Sequence, residues 1–290
     1  MANSGLKSGL QIGNFQGVKT GGGIGNIETG LVSGLHNGNT TRRKLHNPVS
    51  IRGTLQPYCY WNADNVTLSG STVTAVTNLN GTAGAFTVNG APTISLLTVG
   101  RRSAINLSTA NDSVQISSAA LAILSSTNQA TVSIVFRTTA VSATLYANQG
   151  STISATRGDF FITTTSTNQI QIQFWSDNPG NVIYRTEVIQ NLQTRYHTLT
   201  VKFDLQQRYG VGSEVEVILN GMPKPLELVS STFVANSLGF VATQQHFGNN
   251  KSLASSLSFM ASGFLCGYWM SDSQQIMLEN FYRWYYGINF

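Results

Sequence analysis

At 290 residues the chain can hold one large β domain or two ordinary ones, and its 41% hydrophobic content supplies a core. Charged residues make up only 10%, against roughly 25% in an average soluble domain. Ser, Thr, Asn, Gln and Gly replace them, a surface suited to an extracellular or assembled protein rather than a free cytosolic enzyme. No run approaches the ~18–20 apolar residues of a membrane span, two cysteines exclude a multi-disulfide scaffold, and no Cys/His cluster has zinc spacing.

The net charge of +5 is not shared along the chain. Residues 1–52 carry Lys7, Lys19, Arg42, Arg43, Lys44 and Arg52 against Glu28, which accounts for all of it; the other 238 residues balance eleven basic against eleven acidic side chains. The same segment has a glycine ladder at 5, 9, 13, 17, 21 and 25 and eleven of the 28 glycines. It lacks the Gly-x-x-x-x-Gly-Lys-Ser/Thr order of a phosphate loop. Glycine at this density destabilises a soluble helix by ~1 kcal/mol per residue. Yet Leu6, Leu10, Ile12, Phe15 and Ile24 are too apolar for a passive spacer. Glycines permitting close backbone approach between apolar anchors, followed by the basic Arg42, Arg43 and Lys44, predict an extended arm that orders on a partner. An acidic protein surface suits it better than nucleic acid. The opening "MANSGLKSGL" has no apolar signal region, so export is expected to need another route, such as release from a lysed cell.

From residue 53 the chain reads as short strands and turns. "TVSIVFRTT" (131–139) alternates with Val132, Ile134 and Phe136 on one face. "NQIQIQFWSD" sets Ile170, Ile172 and Phe174 against Gln171, Gln173 and Trp175; "RYHTLTVKFD" alternates in the same way. "EVEVILNG" places Val215, Val217 and Leu219 opposite Glu214 and Glu216 and ends in an Asn-Gly turn. Such alternation predicts antiparallel strands with one face buried and one solvated, packed as a sandwich. Cys59 and Cys266 lie among aromatics and read as buried free thiols in preference to a bridge. At the end, Ser271 and Gln274 form a capping box, Leu278, Phe281, Tyr282 and Tyr285 form a helical stripe, and Gly287 stands at the C-cap. A helix is predicted over 271–286.

The order of these motifs resembles the concanavalin A-like (laminin G-like) jelly-roll domains of bacterial and phage proteins. The likeness runs through "YWNADNVTLSGSTVTAVTNLNGTAG", "SAINLSTANDSVQI", "TVSIVFRT", "RYHTLTVKFD" and "EVEVILNG" to the closing "GFLCGYWMSDSQQIMLENFYRWYYGINF". It covers roughly residues 58–290. The resemblance implies an all-β antiparallel jelly-roll sandwich with a C-terminal helix, formed by residues 53–290 behind the arm of residues 1–52. It also implies a structural role for His197 and carbohydrate binding as the common use of the fold. The family's Asp-x-Ser-Gly-Asn loop is reduced here to "NLNGTAG", and Ser108 stands where an aspartate is expected. Both changes remove acidic oxygens from a calcium site.

Glu214 and Glu216 lack the third acid of the family's catalytic strand and read as two acids on a solvated face, and no Gly-x-Ser-x-Gly elbow exists; no enzyme is expected. Asp64, Asn111 and Asp112 are loop oxygen donors whose simpler role is to satisfy turn amides, so no cofactor is expected and calcium has no motif behind it. Trp175 with Asp177 and Asn178 is the candidate carbohydrate site, its alternative being packing against a loop or a subunit. Together with the arm, whose sequence is similar to N-terminal segments of phage virion proteins, the expectation is a homo-oligomeric virion structural protein. It would attach through the arm to other virion proteins and display a lectin-like sandwich to host glycans, as a decoration or fibre component of capsid, neck or tail. The alternatives are a secreted non-catalytic carbohydrate-binding module and, third, a polysaccharide hydrolase.

Overall fold

The computed structural model describes residues 57, 59–80, 86–107, 109, 111–116, 129–139, 142–149, 160–175, 181–204, 214–232, 244–248 and 258–288. The arm anchors Leu6, Leu10, Ile12, Phe15, Ile24, Arg42, Arg43 and Lys44, the boundary at residues 52 and 53, and the candidate sugar ligands Asp177 and Asn178 lie outside the described residues.

The first strands are β1 (Cys59–Asn62), β2 (Val66–Ser69), β3 (Thr72–Val76) and β4 (Thr87–Asn89). Then come β5 (Thr93–Val99), β6 (Arg102–Leu107), β7 (Ser113–Gln115) and the long β8 (Gln129–Thr138). The middle of the chain gives β9 (Thr144–Gln149), β10 (Phe160–Thr164), β11 (Ile170–Trp175), β12 (Asn181–Thr186) and β13 (His197–Asp204). β14 (Val215–Leu219), β15 (Met222–Lys224), β16 (Leu226–Ser231), β17 (Gln244–Gly248) and β18 (Ser258–Cys266) precede α1 (Asp272–Tyr286).

These strands build two antiparallel sheets. The first runs β15-β14-β13-β8-β18-β6-β5-β3-β2, with β1 also on β18; the second runs β16-β12-β11-β10-β9-β17-β7-β4. Turn chemistry sets the hairpins. Asn220 (φ 56°) and Gly221 (φ 76°) both take left-handed backbone between β14 and β15, as the tight turn favoured between right-twisted strands requires.

The alternating apolar residues meet between the sheets. Val132, Ile134 and Phe136 of β8, Leu199, Val201 and Phe203 of β13, and Val215, Val217 and Leu219 of β14 face Ile170, Ile172 and Phe174 of β11 and Val182 and Tyr184 of β12 in one buried cluster. Phe203 and Phe174 meet edge to face across it, centroids 5.5 Å apart at 82°, the geometry aromatic quadrupoles favour.

A second apolar layer covers the outer face of the first sheet. Tyr60, Val99, Ala104, Val135, Phe264 and Met270 pack against Leu278, Phe281, Tyr282 and Tyr286 of α1. The helix starts as its sequence predicts. The Ser271 side chain accepts from the Gln274 backbone, the Gln274 side chain accepts from the Ser271 N–H at 2.9 Å, and Gly287 (φ 61°) closes the C-terminus. Because α1 lies on this face, every residue of β13 is buried, as is nearly all of β8. Their alternation therefore does not mark a solvated face. Among the described residues no helix is long and apolar enough to cross a membrane.

Candidate functional site

The acids singled out in the sequence are occupied by the fold itself. Asp112 accepts the N–H of Ala91 on Oδ1 (3.0 Å) and that of Thr109 on Oδ2 (2.9 Å). Asp64 accepts from the Ser103 N–H (3.0 Å) and the Tyr285 hydroxyl (2.9 Å), with Arg102 at 3.5 Å. Asp112 satisfies loop amides, the simpler of its two expected roles, whereas Asp64 holds an amide at the start of strand β6. Glu214 and Glu216 do not share a solvated face. Glu214 precedes β14, is fully buried, and accepts the Tyr184 hydroxyl at 2.5 Å from the opposite sheet. Glu216 pairs instead with the buried Lys202 at 2.9 Å, which also reaches Asp272 at 3.3 Å. The alternation fails at Glu214 because the strand begins only at Val215.

The outer face of the second sheet is different. In β11, Ile170, Ile172 and Phe174 are buried while Gln171 and Gln173 are half-buried, so the two glutamines face outward as their spacing predicts. Gln171 stands opposite Thr163 of β10 and Arg185 of β12; Gln173 stands opposite Phe161 and Ile183. Trp175 ends β11 in register with Asn181. Arg185 Nε donates to Gln171 Oε1 at 2.8 Å, which fixes the amide and directs its NH₂ away from the guanidinium. Asn181 is tied to Thr232, whose hydroxyl accepts the Asn181 N–H at 3.1 Å. At the far end of the sheet Asn89 donates to Ser113 and Gln115, both at 3.1 Å. The result, among the described residues, is a face on which the amides of Gln171, Gln173 and Asn181 and the guanidinium of Arg185 stand between the apolar Phe161 and Ile183 and the carboxylate-bearing Glu227, supplying donors and acceptors together.

A cleft of about 430 Å³ opens at one side of the sandwich, between residues 187–195 and the β14–β15 hairpin. Its walls meet at His197. Asn220 Oδ1 accepts the Thr198 N–H at 3.1 Å, which leaves Asn220 Nδ2 to donate to His197 Nδ1, also at 3.1 Å. His197 Nε2 then carries the proton and donates to the Asn191 carbonyl at 3.2 Å. The ring is thus a neutral bridge between the two walls, and burial holds its pKa below the usual 6.5. This is the structural role the resemblance implies for His197. The walls of the cleft are separated in sequence, and of its features only the Asn220–Gly221 turn has a local sequence signature.

Another titrating group lies beneath α1. Glu279 is buried against β13, accepts the Thr198 hydroxyl at 2.7 Å, and has its pKa raised by burial to about 7. Among the described residues no group of three or more His, Cys, Asp or Glu could hold a metal ion.

No family model matches the chain, and no curated protein matches it in sequence. Several solved structures share its architecture. The receptor-binding domain of botulinum neurotoxin mosaic serotype C/D matches with a TM-score of 0.53 at 10% identity, over 78% of this chain and 50% of that one. The serotype D ligand-binding domain in complex with N-acetylneuraminic acid gives 0.54 at 9%, over 81% and 52%. Domain 4 of AbnA, a GH43 extracellular arabinanase from Geobacillus stearothermophilus, in complex with arabinotriose, gives 0.52 at 11%, over 78% and 98%. The chain spans about half the length of the toxin domains and nearly all of the arabinanase domain. At these identities the likeness defines the fold class: an antiparallel all-β sandwich of the jelly-roll kind.

Proposed function

We propose that this chain is a non-catalytic carbohydrate-binding protein that takes glycan on the outer face of β10–β12. The observation that carries the reading is the row Gln171, Gln173, Arg185 and Asn181 on the sheet face opposite the one α1 covers. Sugars present vicinal hydroxyls that donate and accept at once, and side-chain amides, that of Gln171 held in place by Arg185, match them. A sandwich of the same fold in complex with arabinotriose, matched over nearly its whole length, supports it. The carboxylates favour binding over hydrolysis. Glycosidases need two carboxyl groups flanking one bond, whereas Glu214 is sealed in the core and Glu216 pairs with Lys202. A glycan array with the wild-type chain, the double variant Gln171→Ala/Gln173→Ala and Trp175→Ala tests the site. Loss of at least ~10-fold in affinity for the bound glycan is expected in the double variant; unchanged binding in it overturns this face as the site.

The charge distribution favours a second, compatible reading. The arm of residues 1–52 carries the whole net charge of +5 and apolar anchors set among regularly spaced glycines. We infer that it attaches the sandwich to a larger assembly, a phage virion being the case its sequence resembles, with homo-oligomerisation following from the symmetry of such assemblies. Deletion of residues 1–52 should leave a folded sandwich that no longer joins particles. Incorporation of the truncated chain overturns the attachment role.

A further inference from the structure

The cleft beside His197 has a chemistry that the amide face lacks. Its floor is apolar, made by the buried Ile189 and Leu219. Its rim carries Val188 and Met222, 53% and 66% exposed and among the large apolar side chains left open to solvent. Two cations and one anion line it. Lys224 Nζ and Glu187 Oε1 are 2.8 Å apart and compensate one another. Arg195 is exposed and takes part in none of the ion pairs among the described residues. The cleft therefore presents one uncompensated guanidinium beside an apolar shelf.

The walls are held before any ligand arrives. Ile189 N–H donates to the Asn168 carbonyl at 2.8 Å, and Gln193 Nε2 donates to Asn168 Oδ1 at 2.9 Å. Asn191 takes left-handed backbone (φ 61°) and is tied to His197. The opposite wall is the Asn220–Gly221 turn, fixed through Asn220. A preformed cavity avoids the ordering cost that weakens binding by loops.

We propose that this cleft binds an acidic sugar unit, with its carboxylate on the Arg195 guanidinium and its ring C–H face on Val188 and Met222. The planar fork of arginine pairs with a carboxylate through two parallel N–H···O bonds. A volume of about 430 Å³ lies at the low end of the ~300–1,000 Å³ of small-molecule sites, room for one or two pyranose rings. A peptide carboxylate is the weaker fit. Peptides gain affinity by adding a strand to a sheet edge, and the edge beside this cleft, β15, contains Pro223 and is followed by Pro225, neither of which has an N–H to donate. The inference shares its ligand class with the proposed function but rests on different residues, so either can fail alone.

The test titrates the full chain with methyl β-glucuronide and methyl β-glucoside, which differ only in the carboxylate, following amide NMR shifts at residues 187–195 and 219–224. The expected result is saturable binding of the glucuronide alone, weakened at least ~10-fold by Arg195→Ala, partly retained in Arg195→Lys, and unchanged in Gln171→Ala/Gln173→Ala. Arg195 is exposed, so the variants should keep the wild-type melting temperature. The proposal is overturned if the glucuronide leaves these residues unshifted, if Arg195→Ala binds it as well as wild type, or if a C-terminal carboxylate peptide binds there and the glucuronide does not.

Discussion

His197 and Asn220 form one unit: the Asn220 amide donates to His197 Nδ1 at 3.1 Å while its carbonyl oxygen holds the Thr198 N–H. This bond exists only while the imidazole is neutral, because a protonated Nδ1 becomes a second donor facing a donor. Burial lowers the His197 pKa, so the unfolded chain takes up this proton before the folded one does. The stability it contributes is complete above the unfolded value of about 6.5 and is lost as pH falls from there through the lower folded value. His197→Ala should cost about 2–3 kcal/mol at pH 7.5, from two lost hydrogen bonds and a cavity, and measurably less at pH 5. Urea denaturation at the two pH values checks it. An equal cost at both would show that the ring is not held neutral.

Glu279 runs in the opposite direction. Its carboxyl is buried beneath α1, and desolvation raises its pKa to about 7 against the Thr198 and Thr200 hydroxyls and the Arg283 charge. The folded chain therefore keeps a proton that the unfolded chain gives up at about 4.5. Its contribution is full below 4.5 and is lost as pH rises through 7, a change on the order of 3 kcal/mol. Glu279→Gln keeps an acceptor for Thr198 and should remove this slope between pH 5 and 7.5. A variant with the wild-type slope would place the titration elsewhere.

What could be read from the sequence was what is decided locally. The outward parity of Gln171 and Gln173, the Asn220–Gly221 turn and the Ser271–Gln274 capping box each depend on a few neighbouring residues, and each is in place. What escaped depends on segments far apart in the chain. The outer face of β13 is buried by a helix about seventy residues later, so Thr198, Thr200 and Lys202 read as solvated although none is exposed. Asp112 and Asp64 read as loop acids, but the amides they bind belong to Ala91 and Ser103. The cleft lies between two segments far apart in the chain that His197 ties together, and no local pattern marks a void between them. Of the candidate sugar site, the strand that ends at Trp175 was legible, while Asp177 and Asn178 lie outside the described residues.

The two cysteines should be chemically silent in the folded chain. Both are free and buried. Cys59 stands opposite Leu265 in the β1–β18 pair, so Cys266 points to the other side of the sheet. Cys59 belongs to the inter-sheet core and Cys266 to the layer under α1, which no disulfide can span without moving backbone. Burial drives the Cys59 thiol far above its usual range and Cys266 up to about 12. Because the thiolate is the reactive form, Ellman's reagent at pH 8 should label neither in buffer and both in guanidinium. Rapid labelling in buffer would contradict this burial.

Gly100 and Gly70 separate two costs of adding a methyl group. Both have left-handed backbone, φ 52° and 62°, so alanine at either should cost roughly 1 kcal/mol of strain. Around Gly70 the position a Cβ would take is open. At Gly100 the same atom would collide with the backbone carbonyl of Tyr286, where α1 ends against the β5–β6 turn. That carbonyl cannot turn aside like a side chain, because the Tyr286 ring is buried and its hydroxyl donates to the Ala261 carbonyl at 3.0 Å. Gly70→Ala should therefore lose about 1 kcal/mol and Gly100→Ala at least ~3 kcal/mol, the excess measuring how rigidly the helix C-terminus is seated. Parallel urea titrations compare them. Equal losses would mean that α1 shifts freely on the sheet, and with it the buried setting that raises the pKa of Glu279.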